Sequence, residues 1–285
     1  MSEKVERLRE VLNEPGLIVL PGCHDAISAR IVARAGYPLA FMGGLAVAAA
    51  RLGLPDSGLI SYAEMLDQGR NICAAVPIPV IGDGDTGYGN AVNVKRTVAG
   101  YANAGFACVM IEDQTLPKRC GLAAGVEVVD RAETVARLRA AVDAREEGAD
   151  ILILGRTDAA TTLGFEEALW RAEAYQDLGV DAVYLEGAES PAELERLAGR
   201  VALPKVYVTV EGIAEQAVTA AQLDDLGFKI MLWAATMLNV SIQAMEEAAA
   251  TMHQGGLPER IVQWDHLNRL AGLDEYYAEE ERYRS

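Results

Sequence analysis

Eight short apolar runs recur along the chain, most of them followed by a longer stretch with helical spacing. The runs are LIVLP (17–21), PLAFMGG (38–44), IPVIGDGD (78–85), ACVMIED (107–113), DILILGRTD (150–158), DAVYLEGA (181–188), KVYVTV (205–210) and FKIMLWA (228–234). Strand-length runs alternating with Ala-, Leu-, Glu- and Arg-rich segments such as RAETVARLRAAVDAREEG read as β-then-α units. Gly36, Gly105, Gly148, Gly179 and Gly227 stand where helices should stop. Eight such units within 285 residues predict a (β/α)8 TIM-type barrel. An open doubly wound sheet is the competitor. Its dinucleotide-binding form needs GxGxxG after the first strand, where this chain reads PGCHDAIS.

The barrel is expected to occupy residues 1–254. Residues 255–285 read as a C-terminal helical extension. Its apolar side chains, Ile261, Val262, Trp264, Leu267, Leu270 and Leu273, have no slot left in the barrel. They are expected to cover a neighbouring subunit or the barrel's outer wall.

Hydrophobic residues make up 51% of the chain, enough to build a core without disulfides or metals as staples. The formal net charge of −17 repels phosphate backbones and anionic lipid, which disfavours nucleic acid and membrane surfaces as partners. It also means that a small anionic substrate must be held by a local cluster of cations. No apolar run reaches the ~18 residues of a membrane span. The N-terminus is charged and has no apolar leader core, so a cytoplasmic protein is expected. Cys23, Cys73, Cys108 and Cys120 match no zinc spacing. The first three read as packing residues, and His24, His253 and His266 are scattered and read as structural.

In a parallel barrel the chemistry sits at the C-terminal ends of the strands. Here the third run closes with Asp83 and Asp85, the fourth with Glu112 and Asp113, the fifth with Arg156 and Asp158, and the sixth with Glu186. A loop with Asp56 follows the run that contains Gly43 and Gly44. Carboxylates converging without a histidine suit a hard cation such as Mg2+ or Mn2+. The plainer reading makes the aspartates of DGDTGYGN caps of the next helix. Agreement of four strand ends favours the metal. Arg156 either grips a carboxylate bidentately or pairs with Asp158 or Glu186. Cys120 follows Lys118 and Arg119, whose charges favour a thiolate, and precedes Gly121.

The ordered set DGDTGYGN, IEDQ, PKRCG and GRTDA, with LGLPDSG at 52–58 and VEG at 210–212, resembles the isocitrate lyase/phosphoenolpyruvate mutase superfamily. The nearest branch is that of 2-methylisocitrate lyase, 2,3-dimethylmalate lyase and carboxyphosphonoenolpyruvate phosphonomutase. The resemblance implies a helix-swapped dimer of dimers. It implies Mg2+ held by Asp83, Asp85 and Glu112 with Asp56 nearby, Arg156 on a substrate carboxylate, and a functional glutamate at Glu186. Gly43, Gly44 and Gly121 fall at substrate-contacting positions. The implied reaction is Mg-dependent cleavage of a carbon–carbon bond in a 2-hydroxy acid, releasing a 2-oxo acid such as pyruvate. An enolate forms and Cys120 protonates it from a closing lid, with Lys118 and Arg119 as countercharge. The competing readings are a phosphonopyruvate-type P–C enzyme, an oxaloacetate decarboxylase, and a non-catalytic barrel that keeps the metal site. Three positions depart from the lyase pattern: Leu122 replaces a histidine, Leu45 follows Gly43–Gly44 where a serine is expected, and Val208 replaces an asparagine. Each change removes a polar group that would read the substrate's far end.

Overall fold

The computed structural model describes residues 2–121, 123–188, 190–212 and 218–284. All eight runs are strands: β1 (Ile18–Pro21), β2 (Ala40–Met42), β3 (Val80–Asp83), β4 (Cys108–Glu112), β5 (Leu152–Thr157), β6 (Ala182–Leu185), β7 (Lys205–Thr209) and β8 (Ile230–Trp233). They form one parallel sheet in the order β1-β8-β7-β6-β5-β4-β3-β2. The seam between β1 and β2 is joined by a single parallel bridge, Cys23 to Met42, with Cys23 N–H donating to Phe41 O at 2.8 Å. The sheet thereby curls into the expected (β/α)8 barrel.

Strands β3 and β4 are buried along their whole length, as strands covered on both faces must be. Helices on the outside pack down on them. Gly105 and Gly179 end helices Ala91–Ala104 and Phe165–Leu178 in the left-handed conformation, with φ of 94° and 87°. Gly82 in β3 serves packing instead. A Cβ there would lie 2.4 Å from the ring of Phe106, which stacks on Tyr101 at 4.7 Å. The Tyr101 hydroxyl donates to Asp83 O at 2.7 Å, so the outer helix fixes the top of β3.

The last barrel helix, Thr236–His253, behaves differently. Among its described residues Leu238 alone is buried, while Val240, Met245 and Met252 are exposed. The expected boundary at 254 falls at the end of this helix. Beyond it, helices Trp264–Ala271 and Leu273–Arg282 complete the extension. Leu270 packs back on the barrel, where Arg30 donates to its carbonyl at 2.9 Å, whereas Ile261, Val262, Trp264 and Leu267 stay exposed.

Candidate active site

The C-terminal ends of the strands carry the acids to one mouth. Asp83 is pinned twice: Oδ2 accepts from Gly44 N–H at 2.9 Å and Oδ1 from Asp85 N–H at 3.0 Å. The Gly44 amide is thus committed to a carboxylate, and a Cβ on Gly44 would lie 2.9 Å from Asp83 Oδ2. Asp85 takes a left-handed φ of 47°, and its Oδ2 accepts from the Tyr88 hydroxyl at 2.9 Å. Neither aspartate caps the next helix. Asn90 does, accepting from Val92 N–H and Asn93 N–H. That removes the capping reading of DGDTGYGN.

Asp113 does not join this mouth. Neighbouring strand residues point to opposite sides, so with Glu112 facing the barrel interior Asp113 faces the helices. There it accepts from Thr157 Oγ1 (2.6 Å), Asp158 N–H (2.9 Å), Arg171 (2.9 Å) and the Tyr175 hydroxyl (3.1 Å). It is a structural anchor for the end of β5.

A lid leaves β4 and returns beside itself. Gln114 and Val128 form an antiparallel bridge, and Thr115 N–H donates to Glu127 O at 2.8 Å. From this lid Lys118 reaches down into the acids. Its ammonium lies 2.6 Å from Asp85 Oδ1 and 2.7 Å from Asp56 Oδ1, and the side chain is 4% exposed. Burial alone would lower the Lys118 pKa, but the carboxylates of Asp85, Glu112 and Asp56 outweigh it and hold the ammonium charged. Burial pushes Asp85 up to about 6 against the pull of Lys118. Burial likewise raises Glu112 well above the usual carboxylate range, with Arg156 and Lys118 opposing.

Arg156 makes the structural pair that the sequence offered as one of its two readings. Its Nε and Nη2 grip Asp158 at 2.9 and 2.7 Å, while Glu112 and Glu186 each lie 3.5 Å away. Glu186 accepts a short hydrogen bond from Tyr184, two residues back on the same strand face, and burial raises its pKa. Gly121 is seated directly on this group. A Cβ there would lie 2.4 Å from Arg156 Nη2, 2.7 Å from Asp158 Oδ1 and 3.0 Å from Glu186 Cγ. Cys120, half-buried, lines the same cavity beside Arg119. Arg119 itself turns outward to Ala124 O at 3.3 Å. Leu122 lies outside the described residues.

The cavity between lid and barrel encloses about 60 Å³. Its polar lining residues include Asp56, Asp83, Lys118, Arg156 and Glu186. Its apolar ones include Phe41, Leu45, Val208, Val210 and Leu232. Gly43 also lines it.

Sequence reasoning named most of these residues but missed three that shape the site. Tyr88 and Tyr184 each hold a site carboxylate, and Gln114 ties the lid to Asp158. Tyr184 was detectable, since a residue two before Glu186 shares its strand face.

The chemistry of the acids fits a divalent ion. Glu112 Oε1 is buried with no hydrogen-bond partner, and Asp56 Oδ1 and Asp85 Oδ1 converge on one ammonium. All the donors are oxygens, as Mg2+ or Mn2+ prefers. Among the described residues no three His, Cys, Asp or Glu side chains converge as a ready-made metal cluster.

Eight parallel strands delivering acids, an arginine and a thiol-bearing loop to one mouth define a barrel of the enzyme class. The chain belongs to the phosphoenolpyruvate phosphomutase family, which it matches over residues 8–253, and so to the phosphoenolpyruvate mutase/isocitrate lyase superfamily. A 2,3-dimethylmalate lyase from Eubacterium barkeri is 36% identical over 281 residues, 97% of each chain. Oxaloacetate acetylhydrolase, solved with the inhibitor 3,3-difluorooxalacetate, superposes with a TM-score of 0.93 at 33% identity, covering 98% of this chain and 96% of that one. Phosphonopyruvate hydrolase, solved with oxalate and Mg++, gives a TM-score of 0.86 at 28% identity over 99% of both chains.

Proposed function

We propose that the chain is a Mg2+-dependent lyase that cleaves a 2-alkylmalate-type 2-hydroxy acid into a 2-oxo acid and a carboxylic acid. The observation that carries this is the seating of the Cys120–Gly121 lid on the Arg156–Asp158–Glu186 cluster, directly over the acids. The likeness to 2,3-dimethylmalate lyase supports it.

Asp83, Asp85 and Glu112 would hold the ion, with Asp56 beside them. When bound, the ion supplies Lewis-acid stabilisation of developing negative charge. Arg156 orients the substrate carboxylate through its forked donors. Glu186, hydrogen-bonded to Tyr184 and beside Arg156, is the group proposed to accept the hydroxyl proton. The C2–C3 bond then breaks, its electron pair stays on the departing carbon, and the Cys120 thiol delivers a proton to that carbon. Lys118 offsets the acids, and the shut lid excludes water.

Pyruvate release from 2-alkylmalates, oxaloacetate and phosphonopyruvate tests the reading. Preference for a 2-alkylmalate supports it, and turnover of phosphonopyruvate or oxaloacetate alone replaces it with a P–C enzyme or a decarboxylase. Cys120→Ser is expected to lower 2-alkylmalate turnover at least ~100-fold. Unchanged turnover removes the proton-donor role.

Helix Thr236–His253 and the 255–285 extension are proposed to dock on a second copy, within a dimer of exchanged dimers. The exposed Val240, Met245, Trp264 and Leu267 support this. Light scattering on the purified chain decides it: a monomer rules the exchange out.

A further inference from the structure

Gln114 is 1% exposed and belongs to no carboxylate cluster, yet both ends of its amide are committed. Its Oε1 accepts from the Arg119 backbone N–H at 2.9 Å. Its Nε2 donates to Asp158 Oδ1 at 3.2 Å. The two partners fix the amide orientation, since an N–H faces the oxygen and a carboxylate faces the nitrogen. Only a group that donates and accepts at once fits between them. A glutamate lacks the donor, and an apolar side chain lacks both.

The two partners belong to different parts of the machine. Arg119 lies at the tip of the lid, one residue before Cys120. Asp158 lies at the end of β5 and grips Arg156 with both oxygens. The Gln114 backbone stays fixed at the lid's root, where its carbonyl accepts from buried Arg137 at 2.8 Å. Asp158 is itself held by the anchor Asp113, which accepts from its N–H at 2.9 Å. When the lid lifts, the Arg119 amide leaves and one end of Gln114 loses its partner inside a buried site. A buried amide without its partner is unfavourable, so the open lid loosens the contact on Asp158 as well.

We infer that Gln114 is a latch, a positioning residue that links closure of the Cys120 lid to the orientation of Arg156. Lid closure favours a correctly aimed guanidinium, and a carboxylate on Arg156 favours the closed lid by the same factor. This role rests on the functional reading only for the identity of the ligand. The closure half stands on the geometry alone.

Two readouts test it on the full chain. Lys118 is buried in the acids while the lid is seated, so trypsin cleavage after Lys118 reports the open lid, and it needs no substrate. Titration calorimetry with oxalate in the presence of Mg2+ reads the carboxylate half. Gln114→Met, which keeps the length and loses both hydrogen bonds, is expected to raise lid cleavage and weaken oxalate, each about tenfold. Gln114→Glu keeps the acceptor for Arg119 N–H but sets a carboxylate against Asp158. It is expected to weaken oxalate at least as much as Gln114→Met while cleaving the lid more slowly than that variant. Wild-type lid cleavage in Gln114→Met overturns the latch. So does a rise in cleavage spread evenly over all sites, which marks a merely structural residue. If the wild-type protein binds no oxalate, the functional reading fails while lid cleavage still decides the latch.

Discussion

Lys118 Nζ lies 2.6 Å from Asp85 Oδ1, although the lysine rides on the lid after β4 and the aspartate sits in the turn after β3. The same ammonium lies 2.7 Å from Asp56. One buried cation therefore compensates two buried carboxylates and fastens the lid to the barrel. Removing one partner of such a group leaves uncompensated charge. Lys118→Met is expected to destabilise the protein by about 3 kcal/mol in the absence of metal. Mg2+ should recover more stability in this variant than in the wild type, because it replaces the missing charge. Urea unfolding with and without Mg2+ measures both effects. Equal Mg2+ increments in the two proteins would show that the ion does not share this acid cluster.

Gly121 supplies a sharper test of the closed lid. Its missing Cβ is what allows the backbone to lie against Arg156 Nη2 and Asp158 Oδ1. Neither neighbour can retreat cheaply, since Arg156 and Asp158 hold each other. Gly121→Ala is expected to leave the melting temperature within about 2 °C of wild type, because the lid contributes little to the core. Turnover should fall by about 100-fold, because the lid no longer seats and Cys120 is displaced. A fully active Gly121→Ala enzyme would place the working position of Cys120 elsewhere.

The eight strands were legible because each is a short apolar run bounded by turn residues, and their number and alternation left little choice of topology. The convergence of Asp83, Asp85, Glu112, Arg156 and Glu186 on one mouth followed from the strand assignment. What was not legible depended on which way a side chain faces. Asp113 read as one acid of a pair, but strand alternation turns it outward to Arg171 and Tyr175, residues of a helix 58 and 62 positions away. Lys118 and Arg119 read as a matched pair beside Cys120, whereas one dives into the acids and the other points at Ala124. Gln114 sat in view within IEDQ, but its meaning depends on a contact with Asp158, 44 residues on, and no local pattern reports that. Helix Thr236–His253 was legible as a helix. Its exposure was not, because apolar periodicity looks the same whichever chain it packs against.

His24 gives a pH test away from the acid cluster. It is 7% exposed, and its Nδ1 has no hydrogen-bond partner. Burial lowers its pKa below 6.5, with Asp25 partly opposing. At pH 7.5 the ring is neutral in both folded and unfolded chains. As pH falls below 6.5, the unfolded chain takes up a proton before the folded one does, so stability is lost on the acid side until the folded pKa is passed. Replacing the ring removes that loss. The difference in unfolding free energy between wild type and His24→Leu should therefore shift toward the variant between pH 7.5 and pH 5.5. A difference that stays constant across this range would mean that His24 titrates normally.

Val208 decides what the far half of the cavity reads. It lines the cavity together with the apolar Phe41, Leu45, Val210 and Leu232. A carboxylate or hydroxyl pushed against those side chains would lose its water without gaining a partner. An alkyl group would instead gain burial, worth about 0.8 kcal/mol per methylene. The wild-type enzyme should therefore favour a malate that bears an alkyl group over one that bears a further polar arm at the same position. Val208→Asn puts a donor and an acceptor at the same place with little change in volume. It is expected to lower kcat/KM for the 2-alkylmalate and raise the relative kcat/KM for a hydroxy acid with an extra distal carboxylate, shifting the ratio about tenfold. The two values measured side by side on both proteins give the answer. An unchanged ratio would mean that the bound substrate does not reach Val208.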